Sequence, residues 1–135
     1  MLLVVDANVF TSALIARGFT LDLFFSDKLQ LLVPDWIFTE IGEHKDEILE
    51  KAGISEEELA LFINLLIIRV ELTPAEDLRE WLNKAKEISP DPDDAPYFAL
   101  ALKFNCGIWS NDAELKEQSV VSVLTTEDVK KLVGL

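Results

Sequence analysis

The sequence predicts an α/β fold, a three-layer α/β/α sandwich in which a five-stranded, mostly parallel sheet lies between layers of helices. Three observations predict it. Short apolar runs of strand length recur along the chain, separated by stretches with helical spacing, the alternation that builds βαβ units. The first run, Leu2-Leu3-Val4-Val5, is apolar at every position, as suits a central parallel strand buried on both faces. That run stops abruptly at Asp6, at the carboxyl end of a strand, where open α/β sheets place their ligand crevices. A carboxylate there is costly unless a cation, hydrogen bonds or a proton compensates its charge. Capping of the next helix is the plainer alternative.

The 135 residues suit one domain, 1–135, and half of them are hydrophobic, which is enough for a sizeable core and too many for a disordered chain. No apolar run reaches the length of a membrane span; the densest, Leu59 to Val70, is interrupted by Asn64 and Arg69. The N-terminus lacks the basic start and cleavage site of a signal peptide, so a cytoplasmic location is expected. Cys106 is the only cysteine, which leaves no internal disulfide and no thiolate zinc cluster, and its neighbours Phe104 and Ile108 suit a core position. With 25 acids against 12 bases the net charge is −13, which argues against a polyanion gripped by a basic surface. Nucleic-acid chemistry on such a chain needs metal ions, a local basic patch or a partner to offset repulsion. Much of the acidity, in Glu56-Glu57-Glu58 and from Glu43 to Glu50, reads as solvated helix faces.

Each element follows from local signals. After Asn8, Val9 to Ala16 is a short apolar helix stopped near Gly18. Leu21 to Lys28 makes a second, with Thr20 as its N-cap. Leu29 to Val33 is the second strand, and Pro34-Asp35 opens a long amphipathic helix from Trp36 to Lys51, ended by Gly53. Ile37, Ile41, Ile48 and Ala52 form its buried stripe. Ser55 followed by Glu58 is a capping box for a helix through Leu65. Ile67 to Leu72, where Arg69 and Glu71 alternate with apolar residues, is a third strand nearer the sheet edge. Thr73-Pro74 begins the helix Ala75 to Ile88, and the prolines of Ser89-Pro90-Asp91-Pro92-Asp93-Asp94 make a loop. Ala95 to Phe104 is an Ala/Leu helix with Pro96 in its first turn. Gly107 to Ser110 is the fourth strand, Asn111-Asp112 leads into a short helix to Glu117, Val120 to Leu124 is the fifth strand, and Thr125 to Asp128 starts a final helix to Leu132.

This order sends four acids to one edge. Asp6 and Asp112 follow the first and fourth strands, Glu40 lies early in the helix after the second, and Asp94 opens the helix leading into the fourth. If the first and fourth strands are neighbours, the four carboxylates share one crevice. Four such groups repel, so they bind protons or cations. Oxygen donors without cysteine or histidine select Mg2+ or Mn2+ over zinc, and such a site suits phosphoryl chemistry. Taken singly, Asp94 and Asp112 fit helix caps and Glu40 a surface residue. His44, four residues after Glu40 on the same helical face, fits a bystander better than a ligand in an oxygen-rich set.

These segments together resemble the PIN domain, a metal-dependent ribonuclease fold common among bacterial and archaeal toxins of toxin–antitoxin pairs. Val4-Val5-Asp6-Ala7-Asn8-Val9 is similar to the family's opening acid motif. Glu40-Ile41, Asp94 with Phe98-Ala99-Leu100-Ala101, and Ser110-Asn111-Asp112 resemble the other three, in order along the whole chain. The resemblance implies that Asp6, Glu40, Asp94 and Asp112 form the catalytic, metal-holding cluster and that Asn8, Ser110 and Asn111 support it by hydrogen bonding. It also implies a sheet in the order 3-2-1-4-5, an RNA substrate, a small antitoxin protein as partner, and a homodimer. A dimer could supply the missing positive charge by bringing together Arg17, Lys28, Arg69 or Arg79 from two subunits.

Other readings account for less. A haloacid-dehalogenase-type phosphatase needs a second aspartate two residues after the first, where this chain has Asn8. A response-regulator receiver needs an aspartate after the third strand, where Val70-Glu71-Leu72-Thr73-Pro74 offers none. Neither explains Glu40 or Asp94. A catalytically silent PIN-like module that binds protein or RNA is the alternative from a different functional class.

Overall fold

Five parallel strands form one sheet in the order β3-β2-β1-β4-β5: β1 Leu2–Val5, β2 Gln30–Pro34, β3 Val70–Thr73, β4 Gly107–Trp109 and β5 Val123–Leu124. The computed structural model describes residues 1–16 and 18–134. Arg17, one of the bases expected to line a groove, lies outside the described residues. Among the described residues, eight α-helices flank the sheet: α1 Ala7–Ile15, α2 Gly18–Phe24, α3 Trp36–Glu43, α4 Lys45–Ala52, α5 Glu56–Arg69, α6 Arg79–Ile88, α7 Ala95–Phe104 and α8 Thr126–Leu132.

The central strand explains the layering. Alternate side chains of β1 go to opposite faces. Leu3 and Val5 join Leu31, Val33 and Trp109 in a core with α1, α3, α4, α5 and α8. Val4 joins Leu32 and Ile108 in a second core filled by Tyr97, Phe98 and Leu100 of α7 and by Leu78 and Ala85. Both faces of β1 are therefore covered, as its unbroken apolar run requires. Among the described residues, no helix is long and apolar enough to cross a membrane.

Several elements differ from expectation for identifiable reasons. The helix expected from Trp36 to Lys51 is two helices, broken at His44 (φ −106°, ψ 12°) just after Gly42, a poor helix former. The break lets α3 and α4 both pack on α1. Helix α2 begins at Gly18 and ends at Phe24, with Thr20 inside it rather than capping it. Helix α5 runs on through Arg69, so β3 starts only at Val70; the buried stripe of Leu59 and Leu66 keeps its helical spacing. The expected helix from Ala75 starts with a 3-10 turn, Ala75–Leu78, and the segment Ala113–Glu117 is also 3-10. Strand β5 is only Val123–Leu124 because the Gln118 amide occupies the backbone before it. Its Oε1 accepts from the N–H groups of Val120 and Val121, and its Nε2 donates to Leu115 O and Val121 O. Helix α7 spans the expected residues, and the Ser55–Glu58 capping box is present.

Candidate functional site

The carboxyl ends of the strands carry the acids to one place. Asp6 follows β1 and donates its backbone N–H to Trp109 O, which ties the β1 and β4 ends together. Asp6 occupies the N-cap position of α1, but its side chain makes no capping hydrogen bond. One carboxylate oxygen instead accepts a 2.7 Å bond from the Ser110 hydroxyl. Ser110 is fully buried and uses its hydrogen-bonding capacity completely: its oxygen also accepts from Asn8 Nδ2 at 3.2 Å and from the Asp112 backbone N–H at 3.0 Å. Asn8 in turn accepts from the Asn111 backbone N–H at 3.3 Å. The β1 and β4 ends are thus knitted around one hydroxyl.

Asn111 differs from the expected pattern. Its side chain faces away from the acids and grips Thr126 at the start of α8, donating to the hydroxyl at 2.9 Å and accepting the backbone N–H at 2.8 Å. The Trp109 indole donates to the same hydroxyl. Asn111 therefore reaches the acid edge only through its backbone. Asp112 does cap, its Oδ1 accepting from the Glu114 N–H at 3.0 Å, while Asp94 sits at the N-cap of α7 without a side-chain capping bond.

A cavity of about 570 Å³ opens at this edge between α1 on one side and α3 and α4 on the other. Asp6, Glu40, Asp94 and Asp112 all border it, as does Asn8. Away from the acids its walls are apolar, with Ile15, Ile41 and Ile48, and its far lip carries His44, Glu47 and Lys51. His44 is exposed and faces Glu47 at 3.7 Å, and Lys51 pairs with Glu47 at 2.6 Å.

The electrostatics follow from the crowding. Burial raises the pKa of Asp6 above the ordinary carboxylate range, against the pull of the Ser110 hydrogen bond, with Asp112 adding repulsion. Burial also raises Glu40, with the Tyr97 hydroxyl opposing the rise and the charge of Asp6 adding to it. Asp94 is pushed up to about 7, first by burial and then by Asp6, Glu40, Asp91 and Asp112. The acids therefore feel one another, as the shared crevice predicts. Among the described residues, however, no three acids, histidines or cysteines are gathered closely enough to hold a metal ion as they stand. Like-charge repulsion is a sufficient physical reason for this spread. The donor chemistry still fits a hard cation: every acid at the cavity is an oxygen ligand, and one oxygen of Glu40 is buried without a hydrogen-bond partner.

Within the single chain, Lys28, Arg69 and Arg79 do not border this cavity. Lys28 donates to Val133 O, and the Arg69 guanidinium donates to Ser26 O and Leu29 O. These carbonyls lie at the amino end of β2 or at the end of α8, so both bases serve the opposite edge of the sheet. Arg79 is exposed at the start of α6. Among the described residues, Lys51, which no motif singled out, is the base that borders the cavity beside His44. Tyr97 was also hidden, inside an apolar run; its signal was a position three residues after Asp94, on the same side of α7.

Fold and site define an α/β protein with an acidic crevice at the carboxyl edge of its sheet, centred on the junction of β1 and β4. The chain belongs to the PIN domain family, whose description matches residues 4–133. It is also similar in fold to a chain in the crystal structure of VapBC2 from Rickettsia felis bound to a DNA fragment from their promoter. The TM-score is 0.63 at 14% sequence identity, covering 93% of this chain and 98% of that one. No curated protein shows significant similarity to the chain.

Proposed function

We propose that this chain is a Mg2+- or Mn2+-dependent endoribonuclease that hydrolyses RNA phosphodiester bonds, acting as the toxin of a toxin–antitoxin pair. The observation that carries this reading is the convergence of Asp6, Glu40, Asp94 and Asp112, from four separate segments, on one cavity. Those four would hold the cation. When bound, it supplies positive charge for activating water and for steadying the phosphate oxygens in the transition state. The chain's own part is to orient the donors. Ser110 fixes the Asp6 carboxylate, and Asn8 and the Asp112 backbone fix Ser110. The apolar walls formed by Ile15, Ile41 and Ile48 restrict water in the groove leading to the acids. Among the described residues, no cysteine and no serine hydrogen-bonded to a histidine borders the acids to serve as a nucleophile, which favours direct hydrolysis over a covalent intermediate.

Membership of the PIN family supports the nuclease reading, and the VapBC2 neighbour supports a protein partner, which we take to be a small antitoxin. We take the chain to be a single cytoplasmic domain, residues 1–135, working as a homodimer. The net charge of −13 favours the catalytically silent module as the second reading, because nothing basic besides His44 and Lys51 borders the cavity among the described residues. Incubation of the chain with a mixed RNA pool separates the two. Cleavage that requires Mg2+ or Mn2+, stops with chelator and is lost in Asp6→Ala supports the nuclease. RNA left intact by wild type with either metal supports the silent module.

A further inference from the structure

Trp109 and Asn111 stand on either side of Ser110 where β4 ends. Ser110 turns to the acids, and its hydroxyl donates to Asp6. Its two neighbours turn the other way, as successive side chains of a strand do, and meet at one atom, the hydroxyl oxygen of Thr126. The Trp109 indole donates to that oxygen at 3.1 Å and the Asn111 amide at 2.9 Å. Asn111 also accepts the Thr126 backbone N–H at 2.8 Å, so its grip is two-pronged. Thr126 is the first residue of α8 and does not border the acid cavity.

Helix α8 has no need of this hydroxyl. Its N-cap is Thr125, whose side chain accepts from the Asp128 N–H while the Asp128 carboxylate accepts from the Thr125 N–H, a complete capping box. Threonine is not among the strong helix formers either. The buried Trp109 indole needs an acceptor, which accounts for one of the two bonds. Asn111 is exposed, and water would satisfy its amide as well, so the second bond has another use. From Asn111 the hydrogen bonds continue to the acids without a gap. Its N–H donates to Asn8 Oδ1, Asn8 Nδ2 donates to Ser110 Oγ, and Ser110 donates to Asp6 Oδ2. We propose that Thr126 is a positioning residue: by holding the residues before and after Ser110, it fixes the direction of the Ser110 hydroxyl and with it the Asp6 carboxylate. The consequence for a cation at Asp6 rests on the proposed metal-dependent function; the positioning of Ser110 and Asn8 does not.

Two adjacent threonines make the test specific. Thr126→Val keeps the branched shape and the backbone N–H but removes the hydroxyl, and Thr126→Ser keeps the hydroxyl. Thr125→Ala removes the cap of α8 and none of the bonds that lead to Asp6. In metal-free 15N-labelled protein, Thr126→Val is expected to move the resonances of the Asn8 side-chain amide and the Asp112 backbone N–H, both of which donate to Ser110 Oγ. Thr126→Ser and Thr125→Ala should leave both near their wild-type positions. In calorimetry, magnesium should bind Thr126→Val about fivefold more weakly, less than the roughly tenfold or greater loss typical when a group touching a metal ligand is removed. Thr126→Ser and Thr125→Ala should keep wild-type affinity, although Thr125→Ala melts lower. Asn8 and Asp112 resonances unmoved by Thr126→Val overturn the proposal. So does a magnesium affinity that follows melting temperature across the three variants instead of the hydroxyl. Asn111→Ala, which releases the same grip from the other side, should move the Asn8 amide too and decides the point if Thr126→Val does not fold. If wild type binds no magnesium, the metal reading fails, and the metal-free resonances alone decide the role of Thr126.

Discussion

Asp6 is 5% exposed and carries a raised pKa; its backbone carbonyl starts α1 by accepting from Val9 and Phe10, but its carboxylate makes no capping bond to the helix. Its charge is instead a cost, offset in part by Ser110. Replacing it with asparagine keeps its shape while removing desolvation of a charge and repulsion with Asp112. Metal-free Asp6→Asn is therefore expected to be as stable as wild type or more stable by about 1 kcal/mol, a typical gain when strain at a functional site is relieved. Magnesium should raise the melting temperature of wild type and leave that of Asp6→Asn nearly unchanged, because a ligand stabilises only the fold that binds it. Four melting curves, each protein with magnesium and with chelator, check this. Destabilisation of the variant together with equal magnesium responses would return Asp6 to the role of a helix residue. At this scale Asp6, Asp94 and Asp112 were readable in the sequence because each follows a strand-like run or opens a helix, whereas Glu40, inside α3, was legible only through the order of the four acids along the chain. Tyr97 and Lys51 were not, since one sits inside an apolar run and the other looks like any exposed helix lysine.

The elements divide the chain into parts that hold the fold and parts that hold the site. Helix α5 starts with a reciprocal capping box, Ser55 Oγ accepting from the Glu58 N–H at 3.2 Å, and it contributes no residue to the acid cavity. Ser55→Ala should thus cost about 1 kcal/mol in denaturant melts while magnesium affinity stays unchanged. A parallel loss of metal binding would mean that α5 and the acid edge are coupled. The same division explains which elements the sequence disclosed. Capping boxes, Gly53 in the left-handed conformation after α4 (φ 65°), and Pro96 in the first turn of α7 are local signals, and the structure follows them. The break at His44, after Gly42, and the shortening of β5 by the Gln118 amide both interrupt runs whose apolar spacing continues, so periodicity does not reveal them. The two helices share the site: Glu40 of α3 and Glu47 and Lys51 of α4 border one cavity, with His44 at the break between them.

The whole molecule is acidic, with an exposed apolar stripe along α5 and a crowded acid edge. Along α5, Leu61, Leu65 and Ile68 are 64%, 55% and 83% exposed and follow one another at helical spacing, beside the edge strand β3. The expected homodimer would find an apolar seam there. Light scattering should then show a dimer at micromolar concentration and a monomer for Ile68→Glu. A wild-type monomer would remove the dimer. At the crowded edge, protons and cations compete for the same oxygens. Asp94 has its pKa raised from 3.8 to about 7, and Asp6 and Glu40 are raised as well. A carboxyl raised on folding makes the folded state bind more protons than the unfolded chain between the two pKa values. Stability therefore falls as pH rises through that window and levels off above it. Glu47 and Asp128 are shifted the other way, but they are exposed and act below the ordinary carboxylate value. Metal-free protein should accordingly melt at lower temperature at pH 7.5 than at pH 5, the reverse of ordinary acid denaturation. Asp94→Asn should flatten the slope. Saturating magnesium should oppose it, since the cation binds the deprotonated acids and its affinity must rise as pH passes about 7. Melting curves in chelator and in magnesium from pH 5 to 8 decide the point, and a metal-free melting temperature that is flat or rises with pH would show that the four carboxylates do not share one field.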